Sequence, residues 1–535
     1  MSFEIRSKDL LGRIGLLHTK TGTVETPLLL PVVNPNHQLI PAKELRSSFG
    51  FDAVITNSYL VWRRYREEPS PPKIHDLLNF DGIIATDSGA YQILRYGDVE
   101  VQANDIIHFQ EQLESDIAVI LDIPTDQAAS KTRAKWTVDE TLRRADEALR
   151  VIKRKDILWV GPVQGGVYPD LVAASAKEMA KRSFPIHALG SPTTVMQQYQ
   201  YDVLVDMILA AKLNLPPDRP LHLFGAGHPM MFALAIALGC DMFDSASYAI
   251  FARNGRYLTA HGTAKIADLE YFPCNCPTCH GRKPTEIKKL LLLERERFLA
   301  AHNLHMCLSE LQTVKQALVD GRLWELVESR AHNHPSLQRA FRSMLKYAEA
   351  IERETPVKKI KGPFIISHDS LSRPEILRHQ KRLIANYTPP SKVKTAILFP
   401  ERYLEPFRED SQQDPVLEKI GNRGYVHLCT YGLAYGIIPE ELLDVYPLSQ
   451  SEHSLVPEAN IIRSAVDRIV EFLETANYKS CLIITEEKWQ EKLAKSTQRR
   501  LSKKMKVKIV ESKNLNSSVI TQINYVKPKT RKRMR

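Results

Sequence analysis

PLHLFGAGHPMMFALAIALGCDMFDSASYA, residues 220–249, reads as an apolar strand, a short helix and a second apolar strand. The runs PLHLFGAG (220–227) and DMFDSASYA (241–249) are nearly continuous in apolar character and break into small or polar residues at their C-terminal ends; MMFALAIALG (230–239) lies between them. A strand that does not alternate is buried on both faces, which points to a parallel sheet covered by helices. Working outward toward the N-terminus, the same unit recurs as TPLLLPVV (26–33), AVITNSYLV (53–61), GIIATDSG (82–89), IAVILDIPT (117–125), ILWVGPVQGG (157–166) and FPIHALGS (184–191). Helix-like stretches such as DETLRRADEALRVIKR (139–154) and YPDLVAASAKEMAKRS (168–183) separate them. Eight such units over about 250 residues predict an α/β chain built on a (β/α)8 TIM barrel rather than an open doubly wound sheet.

Polar residues gather where these strands end: Asn57, Asp87, Ser88, Asp122, Gln164, Ser191 and Asp244. In a barrel, that is the face on which active sites are built. Asp87 and Asp244 end the third and eighth candidate strands, so closure would turn both carboxylates toward one mouth. Two carboxylates about one sugar carbon permit a double displacement, one attacking the anomeric carbon and the other moving a proton at the leaving group. The same two residues could equally cap turns, Asp87 in DSG and Asp244 in the loop that follows, and spacing leaves both readings open. The remaining strand-end groups suit a flat heterocycle: Asp122 accepts from N–H groups and Gln164 both donates and accepts. Tyr91 and Phe224 could stack on its two faces, although an aromatic residue is more often core.

Three of the seven cysteines fall within six positions, Cys274, Cys276 and Cys279. With the others scattered at 240, 307, 429 and 481, this is a metal knuckle rather than a disulfide framework, in a reducing compartment. Thiolates with one histidine suit tetrahedral Zn2+. His280 adjoins the knuckle and turns back poorly; His302 and His305 follow on a helix, and His302 is favoured. Four protein ligands would close the site, making the zinc structural, one per subunit, and pinning a zinc-binding insertion at about 270–305.

At 535 residues the chain is too long for one ordinary domain. No apolar run approaches a bilayer span and the N-terminus MSFEIRSKDLLGRIG lacks a signal-peptide core, so a cytoplasmic protein with no membrane association is expected. The net charge of +11 is concentrated at one end: residues 495–535 hold fourteen Lys and Arg against one acid, Glu511, leaving the first 494 residues at −2. Apolar residues interleave those charges, which favours a nucleic-acid contact over a solvated tail. The expected organisation is a catalytic barrel with its zinc site at 1–350, a linker or accessory segment at 351–394, an α/β accessory domain at 395–494 and a basic tail at 495–535.

The stretches TDSGAYQ (86–92), LDIPT (121–125), GPVQGG (161–166), ALGSP (188–192), FGAGHP (224–229), DMFDSASYAIFARNGR (241–256), CNCPTC (274–279) and HNL (302–304) together resemble the tRNA-guanine transglycosylases, most closely the archaeal branch (archaeosine tRNA-ribosyltransferases). The cysteine knuckle followed by a distant HNL is the most specific part. The resemblance implies exchange of guanine in tRNA, at position 15 of the D-arm, for 7-cyano-7-deazaguanine, the first tRNA step of archaeosine synthesis. It implies Asp244 as the nucleophile that links covalently to ribose and Asp87 as general acid/base. Ser88, Tyr91, Asp122, Gln164 and Gly190 match the base pocket; Cys274, Cys276, Cys279 and His302 match the zinc ligands. Arg253 and Arg256 lie where tRNA backbone contacts are plausible. The Ser-Pro after Gly190 resembles the archaeal pattern and favours the nitrile base over its aminomethyl form. A homodimer is implied as well. Archaeal members usually end in a β-rich RNA-binding module called PUA; the stretch after 500 shows no clear version of it, so the module is expected to be truncated, divergent or supplied by a separate PUA-type chain. Two competing readings are a non-catalytic RNA-binding subunit and an enzyme for an aminomethyl or queuine-type base. Retention of both aspartates argues against the first, and ALGSP with the C-terminal extension against the second.

Overall fold

The computed structural model describes residues 2–68, 70–90, 101–391, 393–401 and 426–515. The chain divides into two compact units, Met1–Tyr347 with Glu354–Pro356, and Ala348–Arg353 with Val357–Arg535.

The first unit opens with an antiparallel sheet, β1 (Phe3–Asp9), β2 (Gly12–His18) and β3 (Thr23–Thr26). Eight parallel strands follow: β4 (Leu28–Val33), β5 (Ala53–Asn57), β6 (Ile83–Asp87), β7 (Ile117–Val119), β8 (Leu158–Val163), β9 (Ile186–Leu189), β10 (Leu221–Leu223) and β11 (Met242–Ser245). They close into a barrel because β11 pairs with β4, Met242 opposite Leu28 and Asp244 opposite Leu30. The expected TIM barrel is therefore present, with inward-facing residues such as Leu28, Leu30, Ile55, Ala85, Val119, Val160, Ala188 and Met242 forming one packed core.

One strand is shorter than its apolar run suggests. IAVILDIPT stays in the ladder only through Val119. The next carbonyls go to side chains instead: Gln110 Nε2 donates to Val119 O at 3.1 Å and Ser88 Oγ to Ile120 O at 3.2 Å. That early release frees the backbone before Asp122 to bend over the mouth.

At the opposite end of the barrel the buried Arg13 guanidinium holds Asp241 through Nε–Oδ1 (2.7 Å) and Nη2–Oδ2 (2.8 Å), while Leu221 N donates to Asp241 Oδ2 at 2.8 Å. Burial alone would raise the Asp241 carboxyl; Arg13 and Lys212 outweigh it and keep it below the usual range. Leu221, the first residue of β10, and Asp241, the residue before β11, are thus tied to β2, which fixes how both strands enter the barrel.

A hairpin, β12 (Arg256–Thr259) with β13 (Gly262–Lys265), leads to the cysteine knuckle and then to the long helix Leu292–Asp320. Helices Leu323–Ala331 and Pro335–Leu345 complete the unit.

The second unit contains the short pair β14 (Phe364–Ile365) and β18 (Glu452–His453) and a five-stranded sheet in the order β17-β16-β15-β19-β20, formed by β15 (Thr395–Pro400), β16 (Val426–Gly432), β17 (Gly436–Pro439), β19 (Ser480–Thr485) and β20 (Lys506–Glu511). The helix Ala459–Thr475 lays Ile461, Ala465, Val466, Ile469 and Leu473 on the core. The segment read as a basic tail from 495 differs in its first part. Residues up to Leu501 finish the helix Lys488–Leu501, and β20 adds a parallel strand beside β19, Ile509 opposite Ile483. Charge counting hides this, because Val507 and Ile509 pack on the core while Lys506 and the neighbouring loop carry the charge outward. Residues 516–535, and with them much of the expected tail, lie outside the described residues. Among the described residues no helix is long and apolar enough to cross a membrane.

Candidate active site

Asp87 is the last residue of β6, directly opposite Asn57 in the β5–β6 ladder. Asn57 Nδ2 donates to Asp87 Oδ2 at 3.1 Å, and Gly89 N reaches the same oxygen at 3.3 Å. Asn57 also caps the next helix by accepting from Leu60 N at 3.0 Å, so its amide is held in orientation. Burial, with the charges of Asp122 and Asp244 adding to it, pushes the Asp87 carboxyl up to about 7, against the pull of the Gly89 and Ser88 amides. Asp87 thus ends β6 within electrostatic reach of Asp122, which follows β7, and of Asp244, the penultimate residue of β11.

Asp122 is buried and accepts from Gln164 Nε2 at 2.5 Å. Burial drives its carboxyl up to about 6, with Gln164 opposing. Gln164 Oε1 accepts from Thr125 N (3.1 Å), Thr125 Oγ1 (3.2 Å) and Ser191 Oγ (3.0 Å). This network orients the amide so that its NH2 faces Asp122. Gly190 sits against it: a Cβ there would lie 2.1 Å from Gln164 Nε2. The Ser88 hydroxyl is buried and committed to Ile120 O. Phe224 is partly buried on the barrel core and meets the His222 ring edge-on, with centroids 4.8 Å apart. Tyr91 lies outside the described residues.

Asp244 stands on β11 and is partly exposed. Its Oδ1 accepts from Gly225 N at 3.0 Å, which the positive φ of Gly225 (68°) allows. His222 Nε2 lies 2.9 Å from the same oxygen. Sequence reasoning missed His222; the available signal was a polar residue in the middle of the apolar run LHL. Arg253 and Arg256 are exposed on the elements that follow β11, Arg256 packed over the Phe251 ring at 5.2 Å.

The second constellation is the knuckle. The thiols of Cys274, Cys276 and Cys279 and the ring of His302 lie within 4.8 Å of one another. His302 Nδ1 is 3.6, 3.6 and 3.4 Å from the three Sγ atoms in that order. A tetrahedral zinc, with Zn–S of about 2.3 Å and Zn–N of about 2.0 Å, requires S···N separations of about 3.5 Å, so the four residues fit the ion. His302 Nε2 is 2.8 Å from Leu258 O; donating there leaves Nδ1 free to ligate. Asn303 beside it accepts from Leu258 N at 2.9 Å and donates to Tyr248 O and Arg256 O, both at 3.2 Å. His280 turns instead to Asn275 Oδ1 (2.9 Å), and His305 packs on Phe49. The set is closed and has no carboxylate, which suits a structural ion.

The queuine tRNA-ribosyltransferase family model matches residues 8–336. A tRNA-guanine(15) transglycosylase of Sulfolobus acidocaldarius is 39% identical over 493 residues, 91% of this chain and 95% of the relative. One from Methanocaldococcus jannaschii is 41% identical over 488 residues, covering 89% and 72%, and one from Pyrobaculum aerophilum 42% over 458 residues, covering 84% and 90%.

Proposed function

This chain belongs to the queuine tRNA-ribosyltransferase family and is a pentosyl-transferring glycosyltransferase that exchanges guanine in tRNA, and from that premise we propose the chemistry of its site. The substrate is guanine 15 of the D-arm, replaced by 7-cyano-7-deazaguanine on the way to archaeosine, in the cytoplasm where tRNA is held. Asp244, as a carboxylate, attacks C1′ of the ribose. The C1′–N9 bond breaks as the new O–C1′ bond forms, its electron pair leaves with guanine, and the Asp87 carboxyl gives guanine the proton that neutralises it. The incoming base then surrenders a proton to the Asp87 carboxylate and attacks C1′ through the freed nitrogen. The ester bond breaks, and its electrons return to Asp244. The steps balance without ATP or redox chemistry.

Asp122 and Gln164 bind the edge of the base in turn for both purines, and Phe224 covers one face. Next to Gly190 stand Ser191 and Pro192, with no anion to hold an ammonium, which supports the neutral nitrile base over the aminomethyl one. Cys274, Cys276, Cys279 and His302 would hold zinc, which supplies a cross-link between the knuckle and the helix Leu292–Asp320 and takes no part in the exchange. Arg253 and Arg256 contribute phosphate contacts. Extruding a guanine from folded tRNA costs a few kcal/mol, which such contacts offset.

The observation that carries the proposal is the placement of Asp87 and Asp244 at the C-terminal ends of two strands of one closed barrel, with Asp87 raised to about 7 by burial and then by the charges of Asp122 and Asp244. Incubation with unmodified tRNA followed by denaturation should leave a protein–RNA adduct that Asp244→Ala abolishes. Exchange of labelled guanine that survives Asp244→Ala would overturn it.

A further inference from the structure

Asp244 has two oxygens, and the structure treats them differently. Oδ1 takes the Gly225 N–H at 3.0 Å and faces His222 Nε2 at 2.9 Å. Oδ2 has no partner among the described residues. His222 is 1% exposed, and its Nε2, although 2.9 Å from Oδ1, completes no hydrogen bond among them. Such a nitrogen is costly to leave unpaired, and among the described residues Asp244 is the acceptor within reach. A small rotation of the carboxylate or ring completes the bond.

We infer that His222 is a positioning residue for the nucleophile: with Gly225 N it clamps Oδ1, so that Oδ2 is the atom that bonds to C1′. This rests on Asp244 acting as the nucleophile. On attack, Oδ2 forms the O–C1′ bond and guanine departs with the N9–C1′ pair; Oδ1 becomes the carbonyl oxygen of the ester. In the second step the incoming base displaces Oδ2 from C1′, and charge returns to a carboxylate whose other oxygen faces two N–H donors. Donors already within reach of Oδ1 stabilise the departing group with little reorganisation. The His222 ring also leans edge-on against Phe224, so the clamp and the base platform share one packed support.

His222→Gln carries an N–H to about the reach of Nε2; His222→Asn stops about one bond short; His222→Phe keeps the ring and removes the nitrogen. Each is measured for single-turnover adduct formation, for kcat and KM with tRNA and free base, and for the thermal midpoint. We expect kcat to fall about tenfold or more in His222→Phe and His222→Asn, with KM for tRNA unchanged, and to stay within a few-fold of the parent in His222→Gln. If His222→Phe does not fold, the comparison of Gln with Asn decides alone, and equal rates for those two overturn the inference. Parent-like rates in His222→Phe overturn it as well. Asp244→Asn run alongside separates the two levels: no adduct there leaves the reading of Asp244 standing whatever His222 does, and an active Asp244→Asn removes both.

Discussion

A side chain on residue 190 would place its first carbon 2.1 Å from Nε2 of Gln164, and that amide is the group that bonds Asp122. Gly190 therefore serves the proposed base pocket by its absence of bulk. Gly190→Ala must push the Gln164 amide off Asp122. Affinity for free guanine should fall tenfold or more, measured as KM in the exchange assay, and the thermal midpoint should fall as well because both Gly190 and the displaced Gln164 amide are buried. An unaltered KM would show that Gln164 does not read the base.

Asp87 should leave its mark in the pH profile. Its carboxyl is raised to about 7, so the protonated form needed for guanine departure fades as pH rises through 7. Single-turnover adduct formation should fall about tenfold per unit above that pH. A rate that keeps climbing from pH 7 to 9 would remove Asp87 from the acid role.

The same shift has a stability consequence. A folded carboxyl titrating near 7, against about 4 unfolded, binds a proton between those values that the unfolded chain does not. Stability therefore drops as pH rises across that window, and the full penalty is present above 7. Asp87→Asn should be inactive yet more stable at pH 8 by on the order of 1–2 kcal/mol, and indistinguishable from the parent near pH 4. Thermal scans at the two pH values test it.

Zinc content should be one per chain, and Cys276→Ser should lower it. With the ligand set incomplete, the hairpin at 256–265 and the knuckle lose their tie to His302, and limited proteolysis should cut within 256–291 first. Adduct formation should decline through loss of protein, not through a changed pH profile. Equal protease resistance in parent and variant would argue that the ion does not brace this segment.

Two truncations separate the parts of the basic C-terminal region. Removing 495–535 takes away β20 and the end of the helix Lys488–Leu501, so the second unit should lose its cooperative unfolding. Removing only 516–535, which carries six Lys and Arg, keeps β20 and the helix Lys488–Leu501 in the chain. It should weaken tRNA binding and lower the salt slope by about one for each phosphate that is no longer neutralised. Unchanged binding in the shorter truncation would place the tRNA-binding surface elsewhere.

Strand order, barrel closure and the two outer aspartates are legible in the chain because each rests on local pattern: apolar runs too continuous for a one-sided sheet, with carboxylates where the runs stop. The knuckle is legible because three thiols within six positions stand out in a cysteine-poor chain. What local pattern does not supply is the partner of each group. Hydropathy carries IAVILDIPT as one strand; two side chains from elsewhere end it at Val119. The count of charges after 495 conceals a strand whose fit depends on β19, earlier in the chain. Asp122 and Gln164 are 42 positions apart and become one hydrogen-bonded pair only because β7 and β8 are neighbours in the closed sheet. His222 reads as a stray polar residue until β10 is laid beside β11 and its nitrogen meets Asp244. Composition and periodicity report on a residue's own burial; protonation state, amide orientation and the distinction between two carboxylate oxygens come from neighbours that only closure delivers.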